Sequence, residues 1–179
     1  MIHPATRDEV DPLMIAVKQI DVEFYGKAAH ASGSPYVGKN ALDAQILAYN
    51  SISVLRQQLK TTEKVHGIIT NGGESANIIQ DFTRSSWMIR AQQTNELKKL
   101  ESKIIKCFKS AALATGCKLN IIEGNGIYEN LVTDKKLATI FTKFSKELSI
   151  DNSTAILLSK IVVDTAANEP RKDPEKWTI

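Results

Sequence analysis

The chain has 179 residues, of which 42% are hydrophobic and 24% are charged. This composition is typical of a globular protein and excludes collagen, coiled-coil and low-complexity proteins. The net charge of +3 is too small to indicate binding to nucleic acid or to an acidic membrane surface. Two cysteines cannot build a disulfide framework, and no apolar run is long enough to span a bilayer. We therefore expect a cytoplasmic protein without nucleic-acid or membrane partners.

The first part of the chain predicts a strand, a helix and a second strand. Residues 20–26 alternate between apolar and polar side chains, which is the period of a half-buried strand. Asn40 with Asp43 three residues later is similar to a capping box, so a helix should begin there and run to about Leu59. Residues 65–70 predict the second strand. The apolar residues expected to form a broad buried face of the helix are Leu42, Ala44, Ile46, Leu47, Ala48, Val54 and Leu55.

The next part predicts a strand, a helix and a strand. The turn residues Asn71-Gly72-Gly73 lead to a third strand over 82–92, antiparallel to the second. Thr94 is expected to cap a helix that Gly116 ends, and residues 117–122 alternate as a fourth strand. The core face of this helix should comprise Leu97, Leu100, Ile104, Phe108 and Ala111, and its solvent face Lys98, Lys99, Lys103, Lys106 and Lys109.

Together these elements spell β-α-β-β-α-β over residues 20–122, which predicts an α+β, ferredoxin-like fold. One four-stranded antiparallel sheet would carry two helices on one face. Thr133 should cap a third helix, whose narrow apolar stripe needs a packing partner. That stripe comprises Leu137, Ile140, Phe141, Phe144 and Leu148. The charged end of the chain, with Pro170 and Pro174, is expected to be a mobile tail.

His30 is the first candidate for chemistry, because it ends the first strand region among small residues that leave it room to project. Asn77 follows a glycine-rich turn and Arg90 lies on the next strand, so we expect the three side chains to converge at one end of the sheet. Arginine matches a carboxylate, and histidine or asparagine can donate to an oxyanion. The alternative is a hydrogen-bonded loop histidine without a catalytic role. His66 is interpreted as structural, and Trp87 as a core or interface residue.

Several separated blocks resemble one family, the zinc peptidases that include aminoacylase and carboxypeptidase G. The blocks that match the lid, or dimerisation, domain of this family are Gly26-Lys27-Ala28-Ala29-His30-Ala31, Asn77-Ile78-Ile79 and Ile89-Arg90. The resemblance covers residues 1 to about 150. It is strongest to the branch of the peptidase domain-containing protein 2 dipeptidases, of the Xaa-Arg and beta-alanyl-lysine type, and the aminobenzoyl-glutamate hydrolases.

This resemblance implies roles for four residues. His30 would stabilise the tetrahedral intermediate in the partner subunit's active site, while Asn77 assists and Arg90 holds a substrate carboxylate. His3 resembles a metal ligand of the aminobenzoyl-glutamate branch. The family binds two zinc ions in a separate catalytic domain and hydrolyses dipeptides or N-acyl amino acids. Its lids pair side by side, which implies a homodimer through the lid.

The sequence also departs from the family. It contains three histidines and no paired Glu-Glu or His-x-Asp element, so the zinc shell and the carboxylate base are missing. Gln80 stands where the family has a proline. The resemblance therefore implies a truncated member: residues 1–18 end a catalytic-domain strand, 19–123 form the lid, 124–151 return to the catalytic domain, and 152–179 diverge.

From these features we expect the lid part of a zinc-dependent dipeptidase or amidohydrolase. The isolated chain should bind no zinc and should be inactive. The alternative function is a non-enzymatic ferredoxin-like module that binds a small ligand or RNA. The third strand lacks the glycine- and aromatic-rich pattern of RNA-binding strands, whereas nothing in the sequence argues for or against a small ligand.

Overall fold

A computed structural model of the chain describes residues 13–147, apart from the side chain of Lys146. Two short 3-10 turns, Pro35–Val37 and Arg56–Gln58, accompany the regular elements. The strands and helices, in chain order, are β1 (Ala16–Tyr25), β2 (Ala29–His30), α1 (Ala41–Leu55), β3 (Lys64–Asn71), β4 (Ile78–Ile79), β5 (Phe82–Ala91), α2 (Thr94–Thr115), β6 (Lys118–Tyr128) and α3 (Lys135–Glu147).

Four strands form one antiparallel sheet in the order β3-β5-β1-β6. This is the strand order of the ferredoxin-like fold, so the predicted α+β fold is confirmed. The structure adds a short antiparallel ribbon of β2 and β4, in which Ala29 pairs with Ile79 and His30 with Ile78. Strands β3 and β6 are the two edges of the main sheet.

The core lies between one face of the sheet and helices α1 and α2. Alternate residues of β1 and β5 point to this face, as the strand period of two requires. Trp87 is 1% exposed, and its ring packs against Phe108 and Tyr49 at centroid distances of 5.5 and 5.6 Å. Trp87 is therefore a core residue and not a platform for stacking nucleic-acid bases.

The predicted buried face of α1 is confirmed in part: Ala44 and Ala48 are buried, and Leu42 and Leu55 are half-buried. The residues that α1 buries are Ala41, Ala44, Gln45, Ala48 and Ile52, whereas Ile46, Leu47 and Val54 are exposed. Alanines on the inner face let the helix backbone approach its neighbours closely, so the larger side chains are on the outer side. The predicted cap is confirmed, because the Asn40 side chain accepts hydrogen bonds from the N–H groups of Leu42 and Asp43.

Helix α2 buries the five predicted residues and exposes the five predicted lysines. Gly116 ends it in the left-handed conformation at φ 68°, as expected. The N-terminal cap differs from the prediction, because Thr94 is already inside the helix. Its N–H and its hydroxyl group both lie 3.0 Å from the Asn130 side-chain oxygen, so a residue after β6 satisfies this helix end.

Strand β6 runs further than the predicted 117–122. Gly124 and Gly126 interrupt the apolar alternation there, and the pairing with β1 shifts register between Lys18 and Ile20. Lys18 is buried on the helix side of the sheet and lies 2.7 Å from Glu101 of α2 and 3.2 Å from Glu123 of β6. Burial lowers the pKa of Lys18, but the hydrogen bonds to the two carboxylates outweigh it, so the pKa is raised above 10.5.

The described residues divide into two compact units, residues 13–131 and a second one that includes residues 132–147. At the ends of the first unit the Leu131 N–H donates to the Met14 carbonyl at 3.1 Å. The predicted domain limits at residues 18, 123 and 151 stay predictions.

Helix α3 belongs to the second unit. Asp134, rather than the predicted Thr133, caps it by accepting from the N–H groups of Lys136 and Leu137. The side chains of the predicted stripe that the structure describes are exposed, namely Leu137, Ile140, Phe141 and Phe144. Leu148 and the predicted tail lie outside the described residues. None of the described helices is long and apolar enough to cross a membrane.

Candidate functional site

The β2–β4 ribbon lies at the end of the main sheet where β1 ends and β5 begins. Gly26, directly after β1, donates to the Asp81 carbonyl, and Lys27 exchanges two backbone hydrogen bonds with Lys39. A Cβ on Gly26 would lie 2.0 Å from the Lys39 carbonyl oxygen, so only glycine permits this close approach. The backbone is thus pinned on both sides of the loop that carries His30.

His30 is an exposed residue whose ring is held by the turn that follows it. Its Nδ1 accepts from the backbone N–H groups of Ser32 at 3.3 Å and Gly33 at 3.0 Å, and the Ser32 hydroxyl lies 3.2 Å from the same nitrogen. The His30 carbonyl accepts from the Ser34 N–H at 3.1 Å. Sequence analysis missed these contacts, although a serine and a glycine just after a histidine are a signal for such a turn.

Asn77 lies beside His30, because the Ala31 N–H donates to the Asn77 carbonyl at 3.0 Å. The side chain of Asn77 is exposed, and its oxygen accepts from the Ser75 hydroxyl at 2.6 Å. Nearby, Gln80 accepts from the Glu74 N–H and donates to the carbonyls of Ser75 and Ile78. Gln80 therefore stabilises the 74–80 turn through side-chain hydrogen bonds.

Arg90 does not join His30 and Asn77, so the expected convergence of all three at one end of the sheet is wrong for a single chain. Arg90 pairs with Val17 and Lys64 at the opposite end of the sheet. From Phe82 to Arg90, strand β5 spans roughly 27 Å at the usual rise per residue. The strand register puts Arg90 there, because the chain turns before Phe82 and β5 then runs away from the ribbon.

Among the described residues, the Arg90 guanidinium donates only to the Met88 sulfur, at 2.9 and 3.3 Å. A thioether is a weak acceptor, so this contact leaves Arg90 suited to a stronger anionic partner.

A charged cluster occupies the sheet face opposite the helices, between the ribbon and Arg90. Arg84 donates to Asp21 at 2.6 Å and lies 3.9 Å from Glu23, which accepts from Tyr25 and Asn120. The Arg84 hydrogen bond lowers the pKa of Asp21, and hydrogen bonds from Asn120 and Tyr25 lower that of Glu23. Sequence analysis missed this cluster, because its members come from three strands and only the register brings them together.

The described residues hold no group of three or more His, Cys, Asp or Glu side chains that could bind a metal ion. His66 is exposed on β3 and pairs with Met88. His3, the predicted metal ligand, lies outside the described residues. The described part of the chain therefore does not fit a zinc centre of its own.

One edge of the first unit is apolar. Ile68 and Ile69 on edge strand β3 are 66% and 41% exposed, and Ile46 of α1 is 45% exposed. The Leu42 and Ile69 side chains both lie within 4 Å of the position that a Cβ on Gly72 would take, which links α1 to β3 at this edge. We call Ile46, Ile68 and Ile69 the apolar edge. An exposed apolar strand edge is a typical interaction surface.

Comparisons with known proteins identify the family of the chain. The family pattern of the peptidase dimerisation domain matches residues 17–116. The chain is 42% identical over 151 residues to the Xaa-Arg dipeptidase of Mus musculus, which covers 84% of this chain and 35% of that protein. It is 35% identical over 98 residues to one of the p-aminobenzoyl-glutamate hydrolase subunits of Escherichia coli, which covers 54% of this chain and 20% of that protein.

The crystal structure of an aminobenzoyl-glutamate utilization protein from Klebsiella pneumoniae has a similar fold, with a TM-score of 0.61 at 18% identity. The similarity covers 70% of this chain and 32% of that one. The chain thus spans about a third of the length of the dipeptidase and of this structure. The matched pattern includes the ribbon, helices α1 and α2, and three of the four main strands. The chain belongs to the peptidase dimerisation domain family, the lid domain of the aminoacylase and carboxypeptidase G peptidases.

Proposed function

We propose that this chain is the lid and dimerisation part of a metal-dependent dipeptidase or amidohydrolase, and that it acts as a homodimer. In this dimer His30 and Asn77 of one subunit serve the active site of the other subunit. Arg90 serves the site of its own subunit. The observation that carries this proposal is the position of His30 in the ribbon at one end of the main sheet and of Arg90 at the other end.

The separation is too large for one small substrate. Strand β5 alone puts roughly 27 Å between the ribbon end and Arg90, whereas two extended residues span only about 7 Å. A dipeptide that contacts both side chains must therefore contact them on two different subunits. A two-fold dimer supplies this arrangement twice, once for each site.

The chemistry of the three side chains fits amide hydrolysis. As the carbonyl carbon becomes tetrahedral, negative charge develops on its oxygen, and a donor from His30 with the Asn77 amide would stabilise that charge. The Arg90 guanidinium would exchange the Met88 sulfur for the substrate carboxylate, to which it can donate two parallel hydrogen bonds. Family members are generally metal-dependent. The described residues of this chain contain no group that could hold such a metal.

The substrate we propose is a dipeptide or an N-acyl amino acid. The relatives named Xaa-Arg dipeptidase and p-aminobenzoyl-glutamate hydrolase support this class, because both names describe an amide of an amino acid. An amino acid at that position offers the free carboxylate that Arg90 would bind.

Subunit mixing tests the proposal. Residues 13–131 would replace the matching segment of the mouse Xaa-Arg dipeptidase, and two variants of this chimera, His30→Ala and Arg90→Ala, would carry different affinity tags. Each variant alone should lose activity, by about 10²–10³-fold in kcat for His30→Ala. A purified mixed dimer contains one site with both residues intact, so its activity should recover to about half that of the unsubstituted chimera.

Co-purified dimers of a single variant with two tags are the control. A mixed dimer no more active than these controls would contradict the proposed division of His30 and Arg90 between two subunits. It would mean that His30 and Arg90 act together from one subunit, or that one of them does not act.

We also propose that the isolated chain binds no zinc and does not hydrolyse dipeptides. The measurement is the zinc content after dialysis against a weak chelator, followed by a dipeptidase assay with added zinc. Bound zinc, or metal-dependent hydrolysis, would show that residues beyond the described ones complete a metal site.

A further inference from the structure

The turn after His30 directs three donors at one ring nitrogen. The Gly33 N–H at 3.0 Å is the shortest, followed by the Ser32 hydroxyl at 3.2 Å and the Ser32 N–H at 3.3 Å. A backbone N–H can only donate, so the nitrogen that it approaches must present a lone pair and carry no proton. In a neutral imidazole the proton then resides on Nε2.

The opposite nitrogen is thereby prepared as a donor. His30 is exposed, and no described residue accepts a hydrogen bond from its Nε2. We infer that Ser32 and Gly33 are positioning residues that hold His30 as the neutral Nε2–H tautomer and leave that N–H facing outward. The purpose of this tautomer rests on the proposed function, because a group that stabilises an oxyanion must present a hydrogen and not a lone pair.

The two positioning residues also differ in the groups through which they donate. Ser32 contributes a hydroxyl that an alanine would remove, whereas Gly33 contributes only its N–H. A Cβ on Gly33 would lie 3.4 Å from Nδ1, an ordinary contact, so alanine fits there and keeps the donor. Proline at position 33 removes the donor.

The test is long-range ¹H–¹⁵N NMR of the histidine rings in the isolated chain, at about pH 8.5, where an ordinary imidazole is neutral. His66, exposed on β3, is the internal reference, and the His3→Gln and His66→Gln variants assign the signals. We expect His30 to show a protonated Nε2 and a population of the Nδ1–H form about fivefold below that of His66, the factor that one hydrogen bond of about 1 kcal/mol supplies.

The Gly33→Pro variant should bring the tautomer ratio of His30 to that of His66, and Gly33→Ala should leave it unchanged. Ser32→Ala should shift the ratio in the same direction as Gly33→Pro but by less. The backbone amide spectrum would reveal whether Gly33→Pro disturbs the sheet. In that case the tautomer ratios of the wild type and of Ser32→Ala test the inference.

A protonated Nδ1 in the wild-type protein, or a ratio equal to that of His66, would overturn the inference. So would a ratio that neither Ser32→Ala nor a folded Gly33→Pro changes. Subunit mixing does not depend on which nitrogen carries the proton. Failed mixing with an intact Nε2–H form would therefore contradict the proposed function alone.

Discussion

The Trp87 ring of β5 covers Gly67 on edge strand β3 and leaves no room there for a side chain. The two residues are paired across the strands, and a Cβ on Gly67 would lie 2.3 Å from Cδ2 of the indole. An aromatic ring over a glycine of a neighbouring strand both buries the ring and pins the register. The Trp87 N–H donates to the Ser85 hydroxyl at 2.8 Å, which fixes the ring in its plane.

Gly67→Ala should therefore destabilise the protein. The added methyl group must displace the Trp87 ring, which also packs on Phe108, and overpacking of this kind costs about 1–3 kcal/mol. Urea denaturation measures the free energy of unfolding. Gly72→Ala is the matched control, because its Cβ would meet its nearest neighbour at 3.8 Å, an ordinary contact. Equal stability of the two variants would show that the ring yields without cost.

At the residue scale, the sequence indicated His30, Asn77 and Arg90 as one converging set, and the structure brings only His30 and Asn77 together. The interactions that hold them were not predictable in the same way. The three hydrogen bonds of Gln80 depend on the exact path of the 74–80 turn, and a glutamine in a loop carries no distinctive signal. The hydrogen bonds that hold this turn are therefore visible only in the structure.

Between elements, the ion pair of Asp21 on β1 with Arg84 on β5 links the two central strands on the sheet face without helices. Arg84 lowers the pKa of Asp21 below its ordinary value of 3.8. A carboxylate with a lowered pKa in the folded state stabilises the fold fully above its unfolded-state pKa. That stabilisation is lost as the pH falls from about 5 through the folded-state value.

Asp21→Asn should therefore weaken the pH dependence of stability in acid. The free energy of unfolding of the variant should fall less steeply than that of the wild type as the pH drops below about 5. Urea denaturation at a series of pH values measures this slope. Arg84→Gln should reduce the slope in the same direction, since it removes the largest cause of the lowered Asp21 pKa. Unchanged slopes in both variants would mean that the pair is open in solution.

At the element scale, prediction was accurate where one helix or strand has a single clear period. Helix α2 has five buried apolar residues at helical spacing and a glycine at its end, so its extent and its inner face were predictable. Helix α1 has apolar residues on almost every side. Its alanine face packs inward, and the spacing alone cannot distinguish that face from Ile46, Leu47 and Val54. Asn130 caps α2 through a contact between residues that are distant in the sequence, so no local pattern predicts it.

At the scale of the whole molecule, the apolar edge is the surface through which we expect two copies of the chain to associate. Ile68 and Ile69 lie on the open edge strand β3, where a second copy can extend the sheet, and Ile46 is exposed on α1. The family name of the matched domain indicates self-association.

The double variant Ile46→Lys/Ile69→Lys should shift the protein from dimer to monomer, because two copies would bring four added charges into an apolar contact. Light scattering at several concentrations measures the mass. Leu113→Lys, on α2 and away from β3, is the matched control, since Leu113 is 85% exposed. A double variant that stays dimeric while circular dichroism shows it to be folded would place the interface elsewhere.

The hydrogen bond between Leu131 and Met14 has a further consequence. It brings the two ends of the 13–131 unit side by side, at 3.1 Å between nitrogen and oxygen. A folded body whose ends meet imposes almost no gap on the polypeptide into which it is inserted. The same property makes the unit a suitable subject for circular permutation: a short linker could join residues 131 and 13, and new termini could open at the exposed Thr61–Thr62 turn.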